Sequence, residues 1–156
     1  MPTALSDVKA RIAAVMATVA GIGNVYDRLR NLSVEADQAQ LLSGGRVNVW
    51  MIHREGSVLT DQVVNQNFVE QRDAIVIEGF YAVKDADDSE SAFEVLVDAI
   101  LQALNADRRP PSHLNGTSAT AGPPSLRLHD QRLYGVSQVL CHHAEIVMQV
   151  TPRYLQ

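Results

Sequence analysis

Apolar residues near the start of the chain recur every three or four positions, which is the spacing of one face of an α-helix. They are Leu5, Val8, Ile12, Val15, Met16 and Val19. This pattern predicts an amphipathic helix over about residues 4 to 20. Gly21 and Gly23 follow the last of these positions, and glycine is common where a helix ends.

A second run with the same spacing predicts a helix over about residues 89 to 105. Its apolar residues are Phe93, Leu96, Val97, Ile100, Leu101 and Leu104. Asp88 or Ser89 can cap this helix, and an acidic run precedes it at the positive end of the helix dipole. We interpret that acidic run as a helix start, because it lacks the ligand spacing and central glycine of a calcium loop.

Five segments have the composition and alternation of β-strands. Residues 73 to 83, DAIVIEGFYAV, are apolar at odd and even positions alike, which predicts a central strand buried on both faces. Residues 46 to 54 predict a strand whose two faces are partly covered. Residues 24 to 32 predict a short strand near the start, and residues 126 to 136 and 139 to 150 predict two strands that finish the chain.

The connecting segments are more polar. Residues 34 to 45 predict an irregular or weakly helical stretch that ends in a Gly-Gly turn, and residues 55 to 71 predict a loop or a bent hairpin arm. Residues 105 to 125 hold four of the six prolines and predict a flexible loop. As a random coil this loop would span about 25 Å, enough to reach a neighbouring subunit.

The order helix, strands, helix, strands predicts an α+β fold with a mixed or antiparallel sheet and two amphipathic helices packed on one side. A chain of 156 residues is expected to form a single domain, 1–156. No stretch approaches the ~20 apolar residues of a membrane helix. The net charge of −5 argues against a nucleic-acid-binding surface, which is usually basic.

The last predicted strand, VLCHHAEIVMQV, contains the one cysteine of the chain and two histidines in consecutive positions. The period of two places His142 toward the core, whereas Cys141 and His143 point away from it together. Two side chains do not complete a structural zinc site, which needs four ligands, and the other histidines are scattered along the sequence. We therefore predict no metal and no cofactor.

The sequence also lacks a convincing catalytic motif. It has no nucleophile elbow, phosphate loop or dinucleotide fingerprint, and a cysteine in the middle of a strand has no helix N-terminus to lower its pKa. Glu78 in the central strand is a candidate buried acid, for which we expect a structural partner such as Arg28 or Arg46. We predict that the protein has no catalytic residues and is not an enzyme.

The sequence resembles the tail terminator, or tail completion, proteins of long-tailed bacteriophages, the lambda-like minor tail proteins. The first part of the resemblance is the opening helix, followed by a glycine turn and GNVYDRLR. The most specific part is residues 75 to 104, IVIEGFYAVKDADDSESAFEVLVDAILQAL, and the last is the closing strand VLCHHAEIVMQV.

The resemblance implies a small α+β domain that assembles into a ring, expected to be a hexamer, at the head-proximal end of the tail tube. Such a ring ends tube polymerisation and contacts the tail tube protein and the head–tail connector or neck protein. DNA passes through its channel without specific binding. The protein would be part of the virion tail and assemble in the host cytoplasm, with no membrane contact. The charged residues that we expect at subunit or partner interfaces are Arg28, Arg30, Asp85, Asp87, Asp88, Arg108 and Arg109.

Two alternatives remain open at this level. One is a neck or head–tail joining protein of similar fold, which differs in the partner that it contacts. The other is a small enzyme or ligand-binding domain that uses Glu78, Cys141 or His143.

Overall fold

The computed structural model describes residues 5–29, 42–43, 46–61, 69–109, 113–114, 119–135 and 138–151. Over these residues the fold is α+β, with two helices and a mixed, curled β-sheet. Helix α1 is Leu5–Met16 and helix α2 is Ser89–Asp107. A single 3₁₀ turn, Asp85–Asp87, immediately precedes α2.

The strands are numbered in chain order. The long strands are β3 (Arg46–Asp61), β4 (Val69–Ala82), β8 (Ser125–Tyr134) and β9 (Val139–Thr151). The short strands are β1 (Asn24–Tyr26), β2 (Leu42–Ser43), β5 (Arg108–Arg109), β6 (His113–Leu114) and β7 (Thr120–Ala121).

Strand β4 lies at the centre of the sheet, between β3 and β9, and is antiparallel to both. The sheet runs in the order β1-β3-β4-β9-β7-β6-β5, with β2 also paired to β3 and β8 also paired to β9. The β1–β3 pair is parallel and the other pairs are antiparallel. This arrangement confirms the predicted mixed sheet and the central position of residues 73 to 83.

Both helices pack on the same face of the sheet, as predicted, and we call this the helical face. Its core joins buried residues of α1 and α2, such as Ile12 and Phe93, to strand residues such as Trp50, Ile77 and Ile146. Arg11 of α1 also pairs with Asp107 at the end of α2, where its Nε donates to Oδ2 over 3.0 Å. Among the described residues, no helix is long and apolar enough to cross a membrane.

The opposite face, which we call the open face, has a smaller core of its own. It consists of Val47, Val49, Met51, Phe80 and Cys141. Tyr134 of β8 packs against this core and stacks on Phe80 with the ring centroids 4.0 Å apart. Apolar side chains of β4 are therefore buried on both faces of the sheet, which explains why apolar residues occupy odd and even positions of this strand alike.

Several predicted element boundaries differ from the structure. For the segment 55 to 71, predicted as a loop or bent hairpin arm, the structure supports the hairpin, because β3 continues to Asp61 and pairs with β4 from Val69. Residues 62–68 lie outside the described part of the chain. Backbone pairing with the partner strand makes this arm regular although most of its side chains are polar. The strand predicted over 24 to 32 is strand only to Tyr26, and its residues from 30 on lie outside the described part of the chain.

The described parts of the predicted loop 105–125 are not structureless. Helix α2 extends to Asp107, and the two-residue strands β5, β6 and β7 follow. Strand β7 pairs with Val150 and Thr151 at the end of β9, so the sheet itself supplies partners for this segment. Residues 110–112 and 115–118 lie outside the described residues, and the predicted flexibility of this segment stays a prediction.

Candidate functional site

A group of carboxylate and histidine side chains lies on the open face of the sheet, next to its small apolar core. The group consists of His53 from β3, Glu78 from β4, Asp130 from β8, and His143 and Glu145 from β9. We call it the carboxylate–histidine cluster. Its members meet because side chains of alternate residues share a face, and the strand register aligns Glu78 with Glu145 and Asp130 with His143.

His143 is the centre of this cluster and is completely buried. Its Nε2 lies 2.7 Å from Oε1 of Glu78, and its Nδ1 lies 2.7 Å from Oδ1 of Asp130. An ionised carboxylate only accepts hydrogen bonds, so both ring nitrogens donate and the ring is an imidazolium when both carboxylates are ionised. Burial lowers the pKa of His143, but the two hydrogen bonds outweigh it and the pKa is raised.

The pKa values of the two carboxylates shift in the opposite direction from that of His143, to lower values. The hydrogen bond from His143 lowers the pKa of Glu78, against the smaller opposing effect of burial. Burial raises the pKa of Asp130, but hydrogen bonds from His143 and Arg132 outweigh it and the pKa is lowered. These three groups therefore favour the state in which a buried positive ring is held between two negative carboxylates.

Glu145 completes the cluster near Nε2 of His143, the same ring nitrogen that contacts Glu78. Its Oε1 lies 4.0 Å from His143 Nε2, while its Oε2 accepts hydrogen bonds from Arg127 Nε and Nη2 over 3.0 and 2.7 Å. Arg127 also donates to Glu55 Oε2 over 2.5 Å. The guanidinium thus fixes one oxygen of Glu145 and leaves the other facing the imidazole.

The predicted partner of Glu78 is wrong. We expected Arg28 or Arg46, but Arg28 pairs with Asp27 and Arg46 pairs with Asp87. Glu78 is instead held by His143, and His53 Nε2 lies 3.7 Å from its other oxygen. Glu78 and His143 are 65 residues apart in the sequence, so no local sequence pattern shows that they are in contact.

His142 lies on the helical face, as its position in the strand predicts, and makes a different contact. Its Nε2 is 2.8 Å from Oγ of Ser89, which also accepts a hydrogen bond from the backbone N–H of Lys84 over 2.8 Å. Burial lowers the pKa of His142, which favours the neutral ring. Both side chains are buried, so this serine–histidine pair fastens the start of α2 to β9 and does not face a substrate. The predicted side-chain cap by Asp88 does not form.

Cys141 points to the open face, as predicted, but it is fully buried in the small core of that face. Burial raises the pKa of its thiol to about 11. Because the thiolate is the reactive form, this cysteine is unsuited to act as a nucleophile at neutral pH.

The residues predicted at interfaces are separated in the structure. Arg28 is exposed after β1, with its Nη1 3.5 Å from Asp27 Oδ1, and Arg30 lies outside the described residues. Asp85, Asp87 and Asp88 are exposed in and after the 3₁₀ turn. Asp87 Oδ2 lies 3.0 Å from Lys84 Nζ and 3.3 Å from Arg46 Nη1.

Arg108 lies at the other end of α2 and has intramolecular partners. Its Nε donates to the carbonyl of Ala121 over 2.9 Å and its Nη1 donates to Asn105 Oδ1 over 2.8 Å. The backbone of Arg109 forms β5, and its side chain lies outside the described residues. Helix α2 separates the acidic turn from Arg108 by about 28 Å at 1.5 Å per residue. These residues are therefore not one patch.

His53, Asp130 and Glu145 are the members of the cluster that the sequence did not single out. Glu145 lies two residues from His143 on the same strand, so the alternation of side chains already predicts that both point to one face. Asp130 has no comparable signal, because its position opposite His143 depends on the register of the β8–β9 pair. A bulge between Leu126 and Leu128 sets that register.

Comparison with protein-family models and with curated proteins finds no match for this chain.

Proposed function

We propose that this protein is a tail terminator of a long-tailed bacteriophage, forming a ring on the head-proximal end of the tail tube. The proposal is supported by the α+β fold with two helices on one sheet face, which the resemblance implied. It is also supported by the net charge of −5, because an acidic protein does not hold DNA that passes through a channel.

The observation that carries the proposal is a pair of β-hairpins at opposite ends of the sheet. Pairing of β4 with β9 ends at Asp73, and the β3–β4 hairpin continues beyond it to the Asp61–Val69 pair. At the other end, pairing of β4 with β9 ends at Cys141, and the β8–β9 hairpin continues to the Tyr134–Val139 pair. We call these the β3–β4 tip and the β8–β9 tip.

Each tip exposes large apolar side chains. Val58 and Leu59 near the β3–β4 tip are 62% and 67% exposed. Leu133 and Leu140, which face each other in the β8–β9 tip, are 59% and 43% exposed. Apolar residues grouped on projecting hairpins are typical of surfaces that another protein covers.

Two different projecting surfaces are what a ring requires. In a ring each subunit uses one patch to contact a different patch on the next subunit, so the interface is heterologous. A second copy of this chain is therefore the partner that we assign to both tips. Charged residues near the ends of the sheet, such as Asp87 and Arg108, would then influence register more than affinity.

The first test is the mass of the protein in solution, measured by light scattering behind a sizing column. The wild type is expected to give a discrete species several times 17.1 kDa, and negative-stain microscopy is expected to show a hollow ring. The variants Leu59→Asp and Leu133→Asp should each abolish that species. The matched control is Val95→Asp on α2, which changes an equally exposed residue (69%) away from both tips.

A mixing experiment distinguishes a ring contact from a symmetric dimer. The Leu59→Asp protein keeps an intact β8–β9 tip, and the Leu133→Asp protein keeps an intact β3–β4 tip. If the two tips contact each other across subunits, an equal mixture should form a heterodimer that neither variant forms alone. A mixture that stays monomeric while the wild type assembles would contradict this assignment of the tips.

The biological role has its own test. Deleting the gene from its phage should give tails of abnormal length if the protein ends tube growth. Tails of normal length that fail to join heads would favour the neck protein instead. Tails of normal length that join heads would contradict both functions.

A further inference from the structure

We propose that the carboxylate–histidine cluster is a binding site for a divalent transition-metal ion of the zinc class. The assigned ligands are Glu78, His143 and Glu145, with His53 as the fourth. This inference does not depend on the ring proposal, because it uses only contacts within one chain.

The ligand atoms are already close together. Glu78, His143 and Glu145 each offer one ligand atom, and these atoms all lie within 4.8 Å of one another. His53 Nε2 lies 3.7 Å from Glu78 Oε2, at the edge of the same group. A zinc ion binds nitrogen and oxygen ligands at about 2.0–2.2 Å, so small side-chain rotations are enough to converge these atoms on one ion.

Groups behind the ligands hold them in ligating orientations. Asp130 accepts a hydrogen bond from Nδ1 of His143, which directs Nε2 toward Glu78 and Glu145. A carboxylate behind a ligating histidine is a recurrent feature of metal sites, because it fixes the ring and raises its basicity. Arg127 binds Oε2 of Glu145 in the same supporting way and leaves Oε1 directed at the site.

The ligands come from rigid parts of the fold. Glu78 lies on the central strand, and the ladder pairs it directly with Glu145 on β9. His143 is packed against the ring of Phe80, with centroids 4.8 Å apart. A site on paired strands keeps its geometry better than one on a loop, so little ordering is needed when the ion binds.

The donor set indicates which ions fit. Imidazole nitrogen suits zinc, copper, iron and nickel, whereas magnesium and calcium prefer sites made of oxygen ligands alone. Cys141 is buried two residues from His143 but is not a member of the group of converging ligand atoms. An ion bound at Nε2 takes the place of the proton that His143 now donates to Glu78.

The test is calorimetric titration of tag-free, chelator-treated protein with ZnCl₂ at neutral pH. We expect one saturable site per chain. Glu145→Gln should weaken zinc binding, and Asp130→Asn should weaken it by about 10–100-fold, the usual effect of losing a group behind a ligand. The control Cys141→Ala should bind zinc as the wild type does. Cobalt should give the visible absorption of a four-coordinate site, and Glu145→Gln should reduce it.

Two outcomes would overturn the proposal. One is the absence of saturable zinc binding by a wild-type protein that circular dichroism shows to be folded. The other is zinc binding that Glu145→Gln and His53→Ala leave unchanged, because the ion would then lie elsewhere. Reduced stability of Asp130→Asn without any zinc binding by the wild type would assign the cluster to a hydrogen-bond network alone.

Discussion

Gly79 on β4 lies directly opposite Trp50 on β3, and a β-carbon on Gly79 would lie 2.3 Å from Cζ3 of the indole ring. Trp50 is completely buried and stacks on Phe93 of α2, so the ring has no space to move away. Only glycine fits at this position of the central strand.

Gly79→Ala is therefore expected to lower the free energy of unfolding by about 1–3 kcal/mol, the usual cost of overpacking a core. Gly56→Ala is the matched control, because a β-carbon at Gly56 meets no atom within 4 Å. That variant should leave the stability unchanged or raise it by up to about 1 kcal/mol. Urea denaturation measures both, and equal stabilities for the two variants would contradict the packing argument.

Glu78→Gln should destabilise the protein, because it removes the charge that faces the buried imidazolium of His143. Hydrogen bonds to charged groups contribute about 1.5–3 kcal/mol, and we expect a loss of that order in the free energy of unfolding. Asp85→Asn is the control, since Asp85 is exposed in the turn before α2. A Glu78→Gln protein as stable as this control in urea would show that the pair contributes nothing.

The neighbouring residues His142 and His143 should titrate in opposite directions from 6.5, the ordinary histidine pKa. Histidine ring resonances followed by NMR should show His143 titrating above that value and His142 below it. In Asp130→Asn the titration of His143 should move to lower pH, because one of the two hydrogen bonds to a carboxylate is lost. Identical titrations of His143 in the two proteins would contradict its assigned partners.

The directions of these two pKa shifts determine how the stability of the protein changes with pH. The raised pKa of His143 contributes stability that is fully present below 6.5 and is lost as pH rises through the folded-state pKa. The lowered pKa of His142 contributes stability that is present above 6.5 and is lost as pH falls through its folded-state pKa. The stability difference between wild type and Asp130→Asn should therefore narrow as pH rises above 6.5.

Ser89→Ala should weaken the attachment of α2 to β9. The substitution leaves the buried ring of His142 and the N–H of Lys84 without their shared partner. An unsatisfied buried polar group costs about 1–3 kcal/mol, which thermal or urea unfolding can measure. Ser91→Ala, an exposed position on the same helix, is the control and should change the stability by less than about 0.5 kcal/mol.

Cys141 should be unreactive in the folded protein. Its thiol is buried and has a pKa of about 11, so a thiol-specific reagent at neutral pH should modify it only when the protein unfolds. The measurement compares modification rates with and without urea. Rapid modification of the native protein would reopen the hypothesis of an enzyme that uses this cysteine.

The sequence by itself determined both helices, the main strands and the faces of those strands. The spacing of apolar residues located both helices, and the two-sided apolar pattern of residues 73 to 83 identified the central strand. Strand parity also separated His142 from Cys141 and His143, because side chains alternate along any strand regardless of its partners. These features depend on local geometry, which a linear pattern records.

The tertiary structure decided which side chains from distant parts of the sequence contact each other. Glu78 and His143 are 65 residues apart, and their contact depends on the β4–β9 register, which no local pattern encodes. The mainly polar arm of residues 55 to 61 is strand because β4 pairs with it. The carboxylate–histidine cluster and the two hairpin tips likewise exist only once the strands are in register, because their members come from elements that are distant in the chain.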